Sequence, residues 1–236
     1  MKYFFYVLYF CALPSLAFSA DILYIGDSHS VFQENNGSRM GSILVQGLSK
    51  NHNLVFIAAC GSSPSTWVLG GETRCGYSEW SSAGVNRFLP QAPVPKFSDL
   101  LAQNKASTII IEQGDNLFEW KKGADGVLES QWPSSTAEKS ILRLLSEKDN
   151  LAPNALCIWI GPTLGGKGPT YRKTSAALDA LYISLEKVVS SHCTIIDSRS
   201  MISSYIGGDG LHLNNLRSQE WANALVQAIE KQMSNK

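Results

Sequence analysis

Five short apolar runs punctuate the chain: Asp21 to Ile25, stopped by Gly26; Asn53 to Ala59; Ser107 to Glu112; Ala155 to Ile160; and Cys193 to Asp197. Their apolar residues are consecutive rather than alternating, which predicts strands buried on both faces of a parallel sheet. Between them, Met40 to Leu48, Ala137 to Leu145, Ser175 to Val189 and Arg217 to Met233 carry apolar residues at helical spacing. Strand and helix alternate throughout. That order predicts an α/β architecture with right-handed crossovers, helices on both faces of the sheet, and a ligand site outside the carboxyl ends of the strands.

Two intervals break the rhythm. From Cys60 to about Pro95 there is little periodicity and much Gly, Ser, Pro and aromatic residue, including Trp67, Tyr77 and Trp80. It reads as a long ordered loop with at most a short helix, and loops of that length in a compact domain are usually functional or disordered. Gly161 to Pro169, after the fourth strand, reads as a mobile flap.

Length and charge narrow the picture. The 236 residues suit one domain, read as residues 21–236, and the charged residues, 17% of the chain, cancel to a net charge of zero. No basic stripe is available for nucleic acid, so a neutral or small substrate fits better. At the amino terminus, Met1 and Lys2 precede an apolar run from Tyr3 to Leu13 and a small-residue stretch ending at Ala20. This reads as an export signal over residues 1–20, cleaved between Ala17 and Ala20; the run is short for a membrane anchor, and Phe10 before Cys11 argues against a lipoprotein signal. The expected product is secreted or periplasmic, with no integral membrane insertion after cleavage. Removing the signal leaves Cys60, Cys75, Cys157 and Cys193 in an oxidising compartment, and Cys60 with Cys75 is the favoured pair because the loop between them is short.

The residues with chemical potential sit where strands end. Gly26-Asp27-Ser28-His29 directly follows the first strand, so the Ser28 side chain projects from the carboxyl edge of the sheet. A serine hydroxyl needs a base to become a nucleophile; without one, Ser28 would be an ordinary helix cap. Near the other end, Gly207-Gly208-Asp209-Gly210-Leu211-His212 lies between the last strand and the last helix. Asp209 can accept a proton-bearing imidazole nitrogen while the other nitrogen of His212 faces Ser28. Asp-x-x-His alone is a common capping pattern; its pairing with a strand-terminal serine gives it weight. His29, His52 and His192 compete for the role of base, and none has an acidic residue spaced as Asp209 is. Oxyanion donors are expected from the Ser28 amide, from the amide of Gly61 after the second strand, and from the side chain of Asn116 after the third.

These four blocks, Gly-Asp-Ser, Gly, Gly-x-Asn and Asp-x-x-His, resemble those of the SGNH, or GDSL-like, hydrolase superfamily, and they span Gly26 to His212 in the family's order. The resemblance implies a three-layer α/β/α sandwich with a flavodoxin-like, parallel five-stranded sheet. It also implies Ser28, Asp209 and His212 as catalytic residues and Ser28, Gly61 and Asn116 as the oxyanion hole, with no cofactor and no metal. Two positions depart from the pattern: His29 stands where Leu is usual, and Leu117 where many members have Asp. The implied activity is hydrolysis of a carboxylic ester, with an O-acetyl group on a carbohydrate or peptidoglycan as the expected substrate, given export, a neutral balance and the aromatics of the long loop. An O-acyltransferase using the same residues, or a glycan-binding protein in which they are idle, remain the alternatives.

Overall fold

A computed structural model describes residues 20–32, 39–132 and 136–235. The export signal expected over residues 1–20 lies, except for Ala20, outside the described residues.

The amino-terminal half runs β1 (Ile22–Gly26), α1 (Arg39–Leu48), β2 (Leu54–Ala59) and α2 (Pro64–Leu69). It continues through β3 (Gly71–Thr73), β4 (Tyr77–Ser81), β5 (Asn86–Leu89), β6 (Ala92–Val94) and α3 (Phe97–Asn104). After β7 (Thr108–Glu112) come a single 3₁₀ turn at Asp115–Leu117, the hairpin β8 (Glu119–Lys122) and β9 (Leu128–Gln131), and α4 (Ala137–Leu151). The rest is β10 (Leu156–Ile160), β11 (Tyr171–Arg172), α5 (Ser175–Val189), β12 (Thr194–Ile196) and α6 (Asn215–Ser234).

The main sheet has the order β12-β10-β7-β1-β2-β4-β5. The five strands expected from the apolar runs form its parallel core, in the order 5-4-3-1-2 by chain position. Four of them are buried almost throughout because their residues pack alternately on two helical layers, while β12, at the edge, buries only Ile196. Tyr24, Phe56 and Ile158 face α1 and α6 through Leu44, Trp221 and Leu225. Leu23, Ile57 and Trp159 face the other helices through Phe97, Ile141 and Leu181. Two hydrophobic cores, one on each side of the sheet, explain why these strands carry no polar alternation.

The interval from Cys60 to Pro95 departs from the expected loop. It forms α2, opened by Pro64 in its first turn, and then β4 and β5, which extend the sheet antiparallel to β2. β3 and β6 pair separately. The half-polar strand Tyr77–Ser81 hides its pattern because it is buried at both ends and partly open in the middle. Trp67 and Tyr77 are buried, at 0% and 3% exposure, so they pack this segment onto the domain and cannot stack on a sugar.

The expected flap from Gly161 to Pro169 is instead tied down. Gly166 N–H donates to Gly210 O (3.1 Å), and Gly168 N–H donates to Tyr171 O (2.9 Å). The approach is so close that a Cβ on Gly168 would lie 2.1 Å from the Asp209 carbonyl carbon. Only glycine fits there.

Both cysteine pairs are disulfides, Cys60–Cys75 and Cys157–Cys193. The second joins residues 36 apart across the β10 and β12 neighbours, and for a loop of that size the chain-entropy model gives about 4 kcal/mol of restriction on the unfolded state. Replacing Cys157 and Cys193 together by Ala is therefore expected to lower the free energy of unfolding by about 2–5 kcal/mol. A urea titration with and without the pair checks this, and an unchanged midpoint would contradict it.

Candidate active site

The parallel strands deliver the candidate residues to one rim. Ser28 lies two residues past β1, Gly61 two past β2, and Asn116 in the 3₁₀ turn past β7, while Asp209 and His212 lie on the segment joining β12 to α6. Asn214 starts α6 directly after that segment, its side chain accepting the Arg217 amide at 2.9 Å. A helix capped in this way fixes where the preceding turn ends.

Ser28, His212 and Asp209 meet. The Ser28 Oγ lies 3.0 Å from His212 Nε2 across 184 residues of sequence, and His212 Nδ1 lies 2.7 Å from Asp209 Oδ2. The other carboxylate oxygen, Oδ1, accepts the amides of Leu211 (2.9 Å) and His212 (2.8 Å). Burial alone would raise the Asp209 carboxyl, but hydrogen bonds from the His212 ring and from these two amides outweigh it and hold it below the usual carboxylate value. An ionised Asp209 can only accept, so the ring proton is assigned to Nδ1 and the free lone pair on Nε2 faces the Ser28 hydroxyl. Burial, and after it the charge of His29, lower the His212 pKa from its ordinary value. The base is thus held neutral.

Tyr205 braces this turn from behind. Its hydroxyl accepts the Gly210 amide at 2.7 Å and donates to the His212 carbonyl at 3.2 Å. The Tyr171 amide donates to the Asp209 carbonyl at 2.8 Å, so β11 is stitched to the same turn.

Gly61 and Asn116 are positioned less tightly. Gly61 has φ +74°, a left-handed conformation that glycine adopts without strain, and it follows Cys60, which the disulfide fixes to Cys75. The neighbouring Ser62 hydroxyl donates to the Gly26 carbonyl at 3.3 Å, tying the turn after β2 to the end of β1. The Asn116 side chain donates to Asp27 Oδ2 at 3.5 Å, a long bond. Leu117, where a polar residue was expected to brace this block, is instead buried in the hydrophobic core.

Beneath the rim lies a polar cluster that no sequence motif announced. Tyr24 donates to Ser30 Oγ (2.7 Å), and Ser30 donates to Glu112 Oε2 (3.0 Å), which also accepts the Asp27 amide (2.9 Å). Burial raises the Glu112 pKa to about 7, against the lowering effect of these donors. His29 pairs through Nε2 with Asp115 Oδ2 at 2.7 Å, and Asp115 Oδ1 accepts Lys173 Nζ at 2.8 Å. Burial would raise the Asp115 carboxyl, but Lys173 first and His29 second bring it down to about 2. Asp27 and His29 lie in the Gly-Asp-Ser-His block and Glu112 ends the third apolar run, but nothing local pointed to Lys173.

The three rival histidines also have carboxylate partners, none at the spacing of Asp209 from His212: His29 has Asp115, His52 has Glu230 and His192 has Asp149. Each partner is distant in sequence, so no spacing could display it. Among the described residues, only His212 joins both a carboxylate and a serine hydroxyl.

No family model matches the chain. It is similar to Protein BcsX of Komagataeibacter xylinus, 24% identical over 214 residues that cover 88% of this chain and 75% of that one. Solved structures resemble it more broadly. One from Parabacteroides merdae, assigned as a GDSL-like lipase, superposes with a TM-score of 0.57 at 16% identity, over 90% of this chain and 97% of the other. Another from Agrobacterium tumefaciens, assigned as an arylesterase, gives 0.57 at 16% identity, over 89% and 98%. A family two carbohydrate esterase of Clostridium thermocellum, in complex with cellohexaose, gives 0.53 at 13% identity, over 90% of this chain and 64% of that one. Identities this low speak for architecture, and the chain has the fold of the SGNH, or GDSL-like, hydrolases.

Proposed function

We propose that the protein is a serine esterase that hydrolyses a carboxylic ester through an acyl-enzyme, with Ser28 as nucleophile, His212 as base and Asp209 as its orienting carboxylate. The observation that carries this reading is the unbroken line from the Ser28 hydroxyl through the His212 ring to Asp209, at 3.0 and 2.7 Å. His212 takes the Ser28 proton as Oγ attacks the ester carbonyl, and the tetrahedral oxyanion is received by donors assigned to the Ser28 and Gly61 amides and the Asn116 side chain. His212 then protonates the departing alcohol. Water, activated by the same imidazole, releases the acid and restores Ser28.

The substrate proposed is an O-acetyl ester on a carbohydrate, and the protein is proposed to act outside the cytoplasm as a single domain over residues 21–236. The two disulfides fit an oxidising compartment. No helix among the described residues is long and apolar enough to cross a membrane. Of the loop aromatics, Trp67 and Tyr77 are buried and Trp80 is half-buried against the core facing α1 and α6, so the proposed aromatic surface lies on other elements. Trp120, half-buried on β8 four residues past Asn116, meets half-buried Tyr171 edge to face at 5.1 Å, and Tyr171 is bonded to Asp209 through its amide. A partly open aromatic pair beside the rim is suited to the apolar face of a pyranose ring. The likeness to a carbohydrate esterase holding cellohexaose supports the same class.

Three outcomes follow. Ser28→Ala is expected to abolish acetate release from acetylated xylan and from 4-nitrophenyl acetate, a loss of at least about a thousandfold, while the melting temperature stays within a few degrees; residual turnover at the wild-type level would end the reading. Because the base acts when neutral and its pKa is lowered, kcat/KM should be flat from pH 8 down past the ordinary histidine value of about 6.5 and fall below it. Trp120→Ala should raise KM for the acetylated polysaccharide by about tenfold and leave 4-nitrophenyl acetate nearly unaffected; equal losses on both would argue against a sugar platform.

A further inference from the structure

The proposed base has a second imidazole as its neighbour. The His29 ring lies 5.1 Å from the His212 ring, tilted by 44°, and 5.4 Å from the Trp221 ring on α6 in an edge-to-face arrangement. His29 is 5% exposed, Asp115 2% and the Lys173 side chain 0%. These residues come from the turn after β1, the 3₁₀ turn after β7 and the position after β11, so three separate crossovers build one cluster. An ammonium as deeply buried as that of Lys173 persists only when paired. Its partner Asp115 is shared with His29, so a single carboxylate serves an ammonium and an imidazole. Replacing such a group by apolar residues of similar volume is commonly neutral or stabilising, so packing alone does not account for it. Its position against the candidate base does.

We propose that His29 is a positioning residue for the base: Asp115, bridged to Lys173, holds it as an imidazolium, and that fixed charge against the His212 ring keeps His212 neutral and aimed at Ser28. The inference rests on His212 being the base. The charges around both rings support it. On His29, burial disfavours a proton, but the hydrogen bond and charge of Asp115 outweigh it and raise the pKa despite the opposing charge of Lys173. Asp27 accepts the His29 amide at 2.9 Å, and its own carboxyl is pushed well up by burial and by Glu112. Around His212, Asp209 and Asp115 favour protonation while burial and His29 oppose it, and the opposition prevails. Tyr205, the remaining titratable group on that turn, is raised by burial first and so stays neutral. A unit charge about 5 Å away at an effective dielectric constant of about 20–40 moves a neighbouring pKa by roughly one to two units. The same repulsion makes a protonated His212 a stronger acid toward the leaving alcohol.

The test is the acid limb of kcat/KM with 4-nitrophenyl acetate for wild type, His29→Gln, which is neutral, and His29→Lys, which restores a cation beside Asp115. His29→Gln is expected to move the limb up by about one pH unit, so that its rate at pH 5 relative to pH 8 falls about tenfold further than the wild type's; His29→Lys should return it toward wild type. A purely structural role would lower kcat without moving the limb, and a limb that coincides in all three proteins overturns the proposal. Imidazole nitrogen shifts of the wild-type protein decide the matter even where a variant does not fold. His29 should titrate above the ordinary histidine value of about 6.5 and His212 below it, and a His29 that loses its proton below pH 6.5 overturns the proposal. Failure of the parent reading looks different, because turnover would then survive in Ser28→Ala.

Discussion

The candidate site exists because two turns 184 residues apart in sequence meet within hydrogen-bonding distance, Ser28 from the first strand and His212 from just before the last helix. Neither turn could hold that contact by itself. Ser28 is fixed because β1 sits centrally in the parallel sheet, between β7 and β2. His212 is fixed from several sides: Asp209 accepts its ring proton and its amide, Tyr205 grips its carbonyl, and Asn214 begins α6 two residues later. A shift of about 1 Å in any of these supports would open the serine–imidazole contact, a displacement that can cost a reaction about a hundredfold.

Below that contact the protein places ionisable groups where most domains place apolar ones. Glu112, Asp27, Asp115, His29 and Lys173 are all buried. Removing one member of a buried ion pair strands the other, typically at about 3–5 kcal/mol. The cluster therefore welds the turns after β1 and β7 to the segment after β11, and it sets the electrostatic surroundings of the rim by the same contacts. Stability and chemistry share these residues, so neither can be altered alone at Asp115, which serves both His29 and Lys173.

Much of this was legible in the sequence. The five apolar runs gave the parallel strands to within a residue or so, since strands packed on both faces carry consecutive apolar residues in place of an alternation. Ser28, Asp209 and His212 were visible because each sits on a glycine-containing turn at a strand or helix end. The antiparallel strands β4 and β5 were hidden because Tyr77–Ser81 mixes buried and partly open positions without a regular period and Asn86–Leu89 buries none of its residues. The partners of His29, His52 and His192 were hidden for a different reason: contacts made 86, 178 and 43 residues apart leave no trace in local spacing. Aromatic composition misled for Trp67 and Tyr77, since composition does not say which way a ring faces.

The Cys157–Cys193 bond sits at the start of the outermost pair of strands, where β10 meets β12. β12 is only three residues long and has a neighbour on one side alone, so it is open to fraying. The covalent tie one residue before it suppresses that fraying at its root. Since the backbone leaving β12 leads on to Asp209 and His212, the same covalent tie anchors the strand from which the rim segment departs.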